Sequence, residues 1–292
     1  MAAELEAAKD AGIDYWAFVW YPEHEPDTRS LRVAWKLYQA SAIRRLVNWC
    51  MITPISEFGA YPFSIDRSNH NIDGILDLLA QDEYQRVLQN RPLLYVLWND
   101  RDVEKYFDAS LKNVADALER FREGAARRQM PDPYIVIMGG APDVSATLAH
   151  TIKADAISNY ISSFSKIGAQ PFSELEPQVE SFWRKLVTTG VASIPIAMIG
   201  WDTRPRLEQP VPWQHSDPVA NPSDQKYYVD ANPEEFARHI QRAVDFVRLH
   251  PRECPAKSIL IYSWDECDEG GCILPTLGDP RGVYLRALRS VR

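Results

Sequence analysis

RPLLYVLW, at residues 91–98, carries one charge at its start and apolar or aromatic side chains almost throughout. A strand with one wet face alternates apolar and polar residues, so a run without alternation has to be covered on both faces. That is the condition of a parallel sheet flanked by helices. Segments of the same kind recur on either side of it. YIVIM at 134–138 runs into Gly139-Gly140, and SIPIAMI at 193–199 runs into Gly200. IDYWAFVWY at 13–21, RLVNWCMI at 45–52, AISNY at 156–160 and SILIYS at 258–263 are further β-rich runs bounded by turn residues.

Helical patterns fill the intervals, at residues 29–40, 71–88, 103–128, 144–150, 173–188, 232–250 and 281–291, and one more at 2–11 precedes the first strand. Leu31, Ala34, Trp35 and Tyr38 fall on one face of the second of these in chain order. Ser173 with Glu176 fits a capping box, and Asn232-Pro233-Glu234-Glu235 is a stronger start signal, with proline at the first helical position. Seven strands, each followed by a helix, make an α/β fold of the (β/α)8 TIM-barrel-like type with its first β-strand missing from the chain. A doubly wound sheet is the rival, but no G-x-G-x-x-G or phosphate loop follows any strand. No repeat, low-complexity tract or linker divides the chain, so residues 1–292 are expected to form a single barrel-like domain.

The length agrees, since one such barrel takes roughly 250 residues. With 32 basic and 40 acidic side chains the net charge is −8, which repels a phosphate backbone and argues against a nucleic-acid partner. No apolar run approaches the ~18 residues of a membrane span. Residues 1–12 lack an apolar signal core, so the expected location is cytoplasmic as the chain stands, or exported if an N-terminal segment has been removed. Cys50, Cys254, Cys267 and Cys272 form no C-x-x-C pair, and free thiols are the expectation, with a local Cys267–Cys272 bridge or a structural metal as the lesser readings. The 6 histidines show no H-E-x-x-H or paired spacing; His150, His239 and His250 fall on helices as surface or capping groups, while His70 could reach a cleft. Neither cofactor nor metal is expected. The unusual numbers are 9 Trp and 13 Tyr, flat faces with one polar handle that suit stacking on sugars as well as core filling.

A parallel barrel has its site at the carboxyl ends of its strands. There stand Trp20 and Tyr21, Trp49, Trp98, Asn159 and Tyr160, Trp201 with Asp202 and Arg204, and Trp264. Behind the last strand, IYSWDECDEGGCIL at 261–274 packs Asp265, Glu266, Asp268 and Glu269 into five residues, and Gly270-Gly271 then permits a sharp turn. Crowded carboxylates raise the pKa of at least one of them, the condition for a general acid beside a general base. Paired carboxylates of this kind cleave glycosidic bonds. From spacing alone a solvated acidic loop or a cation site are alternatives. Residues 204–228 lack a helix or strand pattern and read as a lid or a surface excursion.

The segment Trp264-Asp265-Glu266-Cys267-Asp268-Glu269-Gly270 resembles the W-N-E-W-x-E-G motif of glycoside hydrolase family 99 and of the family-99-like, WbsX-type domains of polysaccharide clusters, keeping both glutamates and their spacing. Ala11 through Asp14 leading to Trp20-Tyr21, the Arg91-Pro92-Leu93-Leu94 strand, and Gly200-Trp201-Asp202-Thr203-Arg204-Pro205-Arg206 are similar in order along most of the chain. The resemblance implies a glycoside hydrolase acting on an oligosaccharide or polysaccharide. Glu266 would be base on the sugar 2-hydroxyl, and Glu269 the acid and then the base of a 1,2-anhydro-sugar mechanism. Trp20, Tyr21, Trp98, Asn159, Tyr160, Trp201, Asp202, Arg204 and Trp264 would line the cleft. A non-catalytic carbohydrate-binding barrel and a transferase-type protein of glycan biosynthesis are the alternatives. Asp265 and Cys267 depart from the motif, and the family's first strand has no counterpart ahead of Met1; the barrel is then shortened, open, or closed by a partner.

Overall fold

The computed structural model describes residues 1–21, 31–59, 70–161, 168–211 and 226–292. The side chain of His70 and residues 212–225, the middle of the expected lid, lie outside the described residues. The strands are β1 (Tyr15–Val19), β2 (Asn48–Pro54), β3 (Arg86–Val87), β4 (Arg91–Leu97), β5 (Tyr134–Met138), β6 (Ala156–Ser158), β7 (Gly168–Gln170), β8 (Ala192–Ser193), β9 (Ile196–Met198), β10 (Lys226–Tyr228) and β11 (Leu260–Tyr262). The helices are α1 (Ala2–Asp10), α2 (Val33–Ala40), α3 (His70–Leu79), α4 (Asp100–Phe107), α5 (Leu111–Arg127), α6 (Pro142–Ile152), α7 (Phe172–Thr188), α8 (Pro205–Glu208), α9 (Pro233–Leu249) and α10 (Val283–Leu288). No helix among the described residues is long and apolar enough to cross a membrane.

β1, β2, β4, β5, β6 and β8 follow one another as parallel neighbours, and β9 pairs in parallel with β11. β8 and β9 are two halves of one stretch interrupted at Pro195, which has no N–H to give to a ladder. Its carbonyl still accepts the amide of Leu260 at 2.9 Å, so the rank passes on to β11. The result is the (β/α) order read from the sequence, with seven parallel positions. Every residue of β5 and the middle five of β4 are buried, which is why 91–98 shows no alternation.

At the ends of the rank this changes. Only Trp16 of the five β1 residues is buried. Among the described residues no backbone hydrogen bond joins β1 to β11, and the sheet is not closed. Side chains span the gap between β1 and β11 instead. The Tyr15 hydroxyl lies 2.9 Å from that of Tyr95 and 2.7 Å from Ser258 Oγ, just ahead of β11. One residue along, Trp16 meets Trp264 with ring centroids 4.9 Å apart. A cleft of about 1770 Å³ follows this seam, from Asn48 and Lys257 at one end to Tyr160 and Glu266 at the other.

Several local expectations are corrected. Trp49 does not stand at a strand exit: it is completely buried within β2, among Phe18, Trp35, Tyr38 and Tyr84. The helix expected over 103–128 is two, because Asp108 and Ala109 turn left-handed (φ 53° and 55°) and Ser110 caps α5 by accepting the amide of Asn113 at 3.3 Å. The helix expected to reach residue 88 stops at Leu79, and a β3–β4 hairpin with left-handed residues at 88–90 follows. Ser173 caps nothing, since α7 begins one residue earlier, after Pro171. The box at Asn232 forms as read.

The amino ends of β4, β5 and β6 are fastened by charge. Asp155 accepts Arg91 at 2.6 Å, Arg122 at 2.7 Å and the amide of Ile135 at 2.9 Å, and Asp132 bridges the same two arginines at 2.7 and 2.6 Å. This face is opposite the strand exits, where a barrel keeps its stabilising groups. Asp155→Ala is expected to lower unfolding free energy by about 2 kcal/mol, read by urea denaturation, because it leaves two mostly buried guanidinium groups with Asp132 as their one shared carboxylate and takes the acceptor from a backbone amide. A loss below about 0.5 kcal/mol would mean that the network is only surface pairing.

Candidate active site at the strand exits

Beyond β11 the chain turns through Ser263 and Trp264 into a single 3₁₀ turn, Cys267–Glu269. Ser263 Oγ accepts the amide of Glu266 at 3.0 Å, and the carbonyl of Glu266 accepts that of Gly271 at 3.0 Å. The fold of this loop depends on Gly270. Its φ is +65°, and a Cβ there would come within 2.7 Å of the backbone nitrogen of Asp202, whose N–H donates to the Glu269 carbonyl at 2.7 Å. Cys267 and Cys272 are joined by a disulfide across the same loop, against the expectation of free thiols; Cys50 and Cys254 are free and buried. The spacing alone could not show this, because only the return of the chain at Gly270-Gly271 brings the two Cα atoms to 4.6 Å.

Three of the four crowded carboxylates converge on one cation. Arg206, in α8 and only 12% exposed, donates Nε to Asp268 at 2.7 Å, places Nη2 3.5 Å from Glu266 and pairs through Nη1 with Glu269. The other oxygen of Glu266 accepts the Tyr160 hydroxyl at 3.1 Å, and the other oxygen of Glu269 accepts the Tyr262 hydroxyl. Burial pushes the Glu266 carboxyl above its ordinary range; Tyr160 and Arg206 pull it back, while Asp265 and Asp268 add to the rise. Glu269 is raised in the same way by burial, against the pull of Arg206. Burial works against the charge of Arg206, but Asp268, Glu269 and Glu266 outweigh it and its proton is held more tightly than usual. Tyr21 is pushed up to about 12 by burial and then by the charges of Glu266 and Glu269, so this phenol lies within their field and stays protonated.

The residues expected at the site separate into three groups. Tyr21, Tyr160, Trp264 and Glu266 line the cleft. Trp264 is oriented by its indole N–H, which donates to Glu4 at 3.1 Å, and by Trp16. Trp201, Asp202 and Arg204 border the glutamate loop but are tied to one another and to β10. Trp201 exchanges backbone bonds with Tyr228; Arg204 pairs with Asp202 at 2.6 Å and lies 3.4 Å above the ring of Tyr227. The remaining residues act locally. Trp20 packs edge-on to Trp35, Trp98 donates to Asp100 at 2.8 Å, and Asn159 is buried and donates to the carbonyl of Ile161 at 2.9 Å. Arg206 and Tyr262 were not among the expected site residues. Arg206 stood in the quoted Thr203-Arg204-Pro205-Arg206 stretch, and the signal for it was the excess of carboxylates at 265–269, which requires a cation that the segment itself does not contain.

No family model and no curated protein matches this chain. Among solved structures, the GH99 endo-alpha-mannosidase from Bacteriodes thetaiotaomicron, in complex with BIS-TRIS-propane, is similar in fold. The TM-score is 0.53 at 13% identity, over 98% of this chain and 82% of that one. Similarity over nearly the whole chain agrees with a (β/α)8-type order.

Arg206→Met is expected to cost on the order of 1–3 kcal/mol at neutral pH, since it leaves partly buried carboxylates without their cation. The sign of its pH dependence follows from the raised carboxyl groups. Without the guanidinium Glu266 and Glu269 rise further, so the variant gains relative stability as pH falls and they become neutral. Urea denaturation at pH 4.5 and pH 7.5 should therefore show a smaller gap from wild type at the lower pH; an unchanged or wider gap would contradict the pairing.

Proposed function

We propose that the protein is a glycoside hydrolase of an oligosaccharide or polysaccharide, with Glu266 and Glu269 as its working carboxyl groups. The observation that carries this reading is their convergence on Arg206, each with a carboxyl raised by burial, beside an open, aromatic-lined cleft that Glu266 lines and Glu269 backs through the shared cation. A solvated acidic loop would leave such groups apart in water. Here one guanidinium sets their separation while each keeps a second oxygen on a tyrosine. The fold neighbour, an endo-alpha-mannosidase, supports a glycan as substrate class. The sugar itself is left open, because Asp265 and Cys267 alter charge and shape beside both glutamates and Cys267 is drawn into a disulfide.

In this reading Glu266 takes the proton of the sugar 2-hydroxyl, whose oxygen attacks the anomeric carbon and closes a 1,2-anhydro ring. Glu269 gives its proton to the departing glycosidic oxygen. It then accepts a proton from the water that opens the three-membered ring, and Glu266 returns its own to the 2-oxygen. Both groups start from raised pKa values, which brings proton affinity closer to that needed near neutral pH. Tyr21 and Trp264 supply faces along the cleft for the ring. Arg206 is a positioning residue for both glutamates.

The test is a screen of α- and β-linked glycans with mass-spectrometric detection of product, followed by Glu266→Gln and Glu269→Gln on the substrate found. Each variant is expected to lose at least ~100-fold in turnover while still binding that glycan. Wild-type-like turnover in either would remove the mechanism, and glycan binding without product from the wild-type protein would favour a non-catalytic carbohydrate-binding barrel. The pH dependence of kcat/KM should show both limbs above the ordinary glutamate value of about 4.3, and Arg206→Gln should move both limbs to higher pH, since the cation it removes favours the ionised forms.

A further inference from the structure

On the outer face of the sheet, α7 and α9 both pack against β9 and bring a second set of ionisable groups together. Glu176 and Glu180 are one turn apart on α7, and His239 and Arg242 are neighbours on α9. His239 was expected at the surface. It is instead 0% exposed, stacked on Trp183 (ring centroids 5.1 Å apart, planes at 20°) and met edge-on by Phe172 at 5.7 Å. Neither ring nitrogen has a hydrogen-bond partner among the described residues. Nδ1 is nevertheless aimed between the two carboxylates, 3.8 Å from Glu176 and 3.9 Å from Glu180, and the three ligand atoms all lie within 4.8 Å of one another.

A buried imidazole held only by ring contacts, its Nδ1 edge facing two acids just beyond hydrogen-bond reach, is an incomplete arrangement. Leaving such a nitrogen unsatisfied costs about 1–3 kcal/mol. The separations are close to those of atoms sharing one ion: at bond lengths of ~2.0–2.1 Å, two ligands of a tetrahedral zinc stand roughly 3.3 Å apart. Closing about half an ångström would bring Nδ1 to that spacing from one oxygen of each glutamate, and the three atoms, all within 4.8 Å of one another, would draw together on one centre. One nitrogen with two carboxylates is a donor set for a borderline divalent ion. In the structure Arg242 supplies the positive charge, pairing with both Glu176 and Glu180 from the solvent side. It is 43% exposed, so it can swing away and open a path to the carboxylates.

We propose that Glu176, Glu180 and His239 form a binding site for a zinc-class divalent ion that fastens α7 to α9, with Arg242 as the cation the metal displaces. The site takes Nδ1 of the imidazole and leaves the ring proton on Nε2. It is separate from the Glu266 and Glu269 loop, and its role is to hold two helices against the strand that carries the sheet from β6 to β11.

The experiment uses the full chain stripped with EDTA and then titrated with ZnCl2 by calorimetry and thermal melting, and with CoCl2 by visible absorption. One ion per chain, a rise of several degrees in Tm and a cobalt ligand-field spectrum are expected. Glu176→Gln and Glu180→Gln, both at positions open to solvent on one side, should each weaken binding at least 10-fold while the variants stay folded. Arg242→Gln should tighten binding several-fold by removing the competing cation. Absence of heat and of any Tm shift at 1 mM zinc would overturn the proposal. So would binding that both glutamine variants leave unchanged, which would locate the ion elsewhere, or binding that Arg242→Gln weakens.

Discussion

Parallel strands buried on both faces constrain the whole molecule. Because β4 and β5 have no wet face, the chain returns outside the sheet between the parallel strands, and each strand of the parallel rank then leaves the sheet on the same side. That constraint places α8, which follows β9, beside the loop that follows β11, although about sixty residues separate Arg206 from Glu266 and Asp268. It also sends all the amino ends to the opposite face, where Asp155 and Asp132 share Arg91 and Arg122. One end of the sheet is thus closed by charge satisfied within the fold, and the other presents charge around a cleft.

The rim of that cleft is an electrostatic balance. Three carboxylates face one guanidinium, and with burial raising two of them, part of the negative charge is neutralised by Arg206 and part is free to be neutralised by a proton. Gly270 lets Asp202 approach closely enough to bond the Glu269 carbonyl, and the Cys267–Cys272 bridge closes the loop around the same residues. The backbone that presents Glu266 and Glu269 is therefore held from both sides. The seam between β1 and β11 adds the volume. Among the described residues it is bridged by the side chains of Tyr15 and Trp16, and the cleft runs along it.

Much of this was legible in the chain as written. Unalternating strands, the alternation of strand with helix, a shortfall of one strand, the Asn232 cap and the acidic cluster after the last strand are all local patterns, set by side-chain period, capping chemistry and composition. Boundaries were less legible where two local preferences competed. Ser110 could cap a new helix or continue an old one, and Pro195 could end a strand or be carried within it; which prevailed depended on neighbours outside the segment. Nor did the tryptophans declare their surroundings, since Trp49 and Trp264 have the same chemistry and only packing sets one in the core and the other at the cleft.

By itself, then, the sequence determined the fold class, the order of its elements and the crowding of four carboxylates behind the last strand, because each of these is written in contacts between residues close along the chain. The tertiary structure alone decided which cation the acids would share, that Cys267 would find Cys272, that β1 and β11 would face each other across an open seam, and that a helical histidine would be buried against two glutamates of another helix. These are meetings between residues that chain periodicity does not relate. They arise only when a twisted parallel sheet brings its strand exits to one rim and packs its helices side by side.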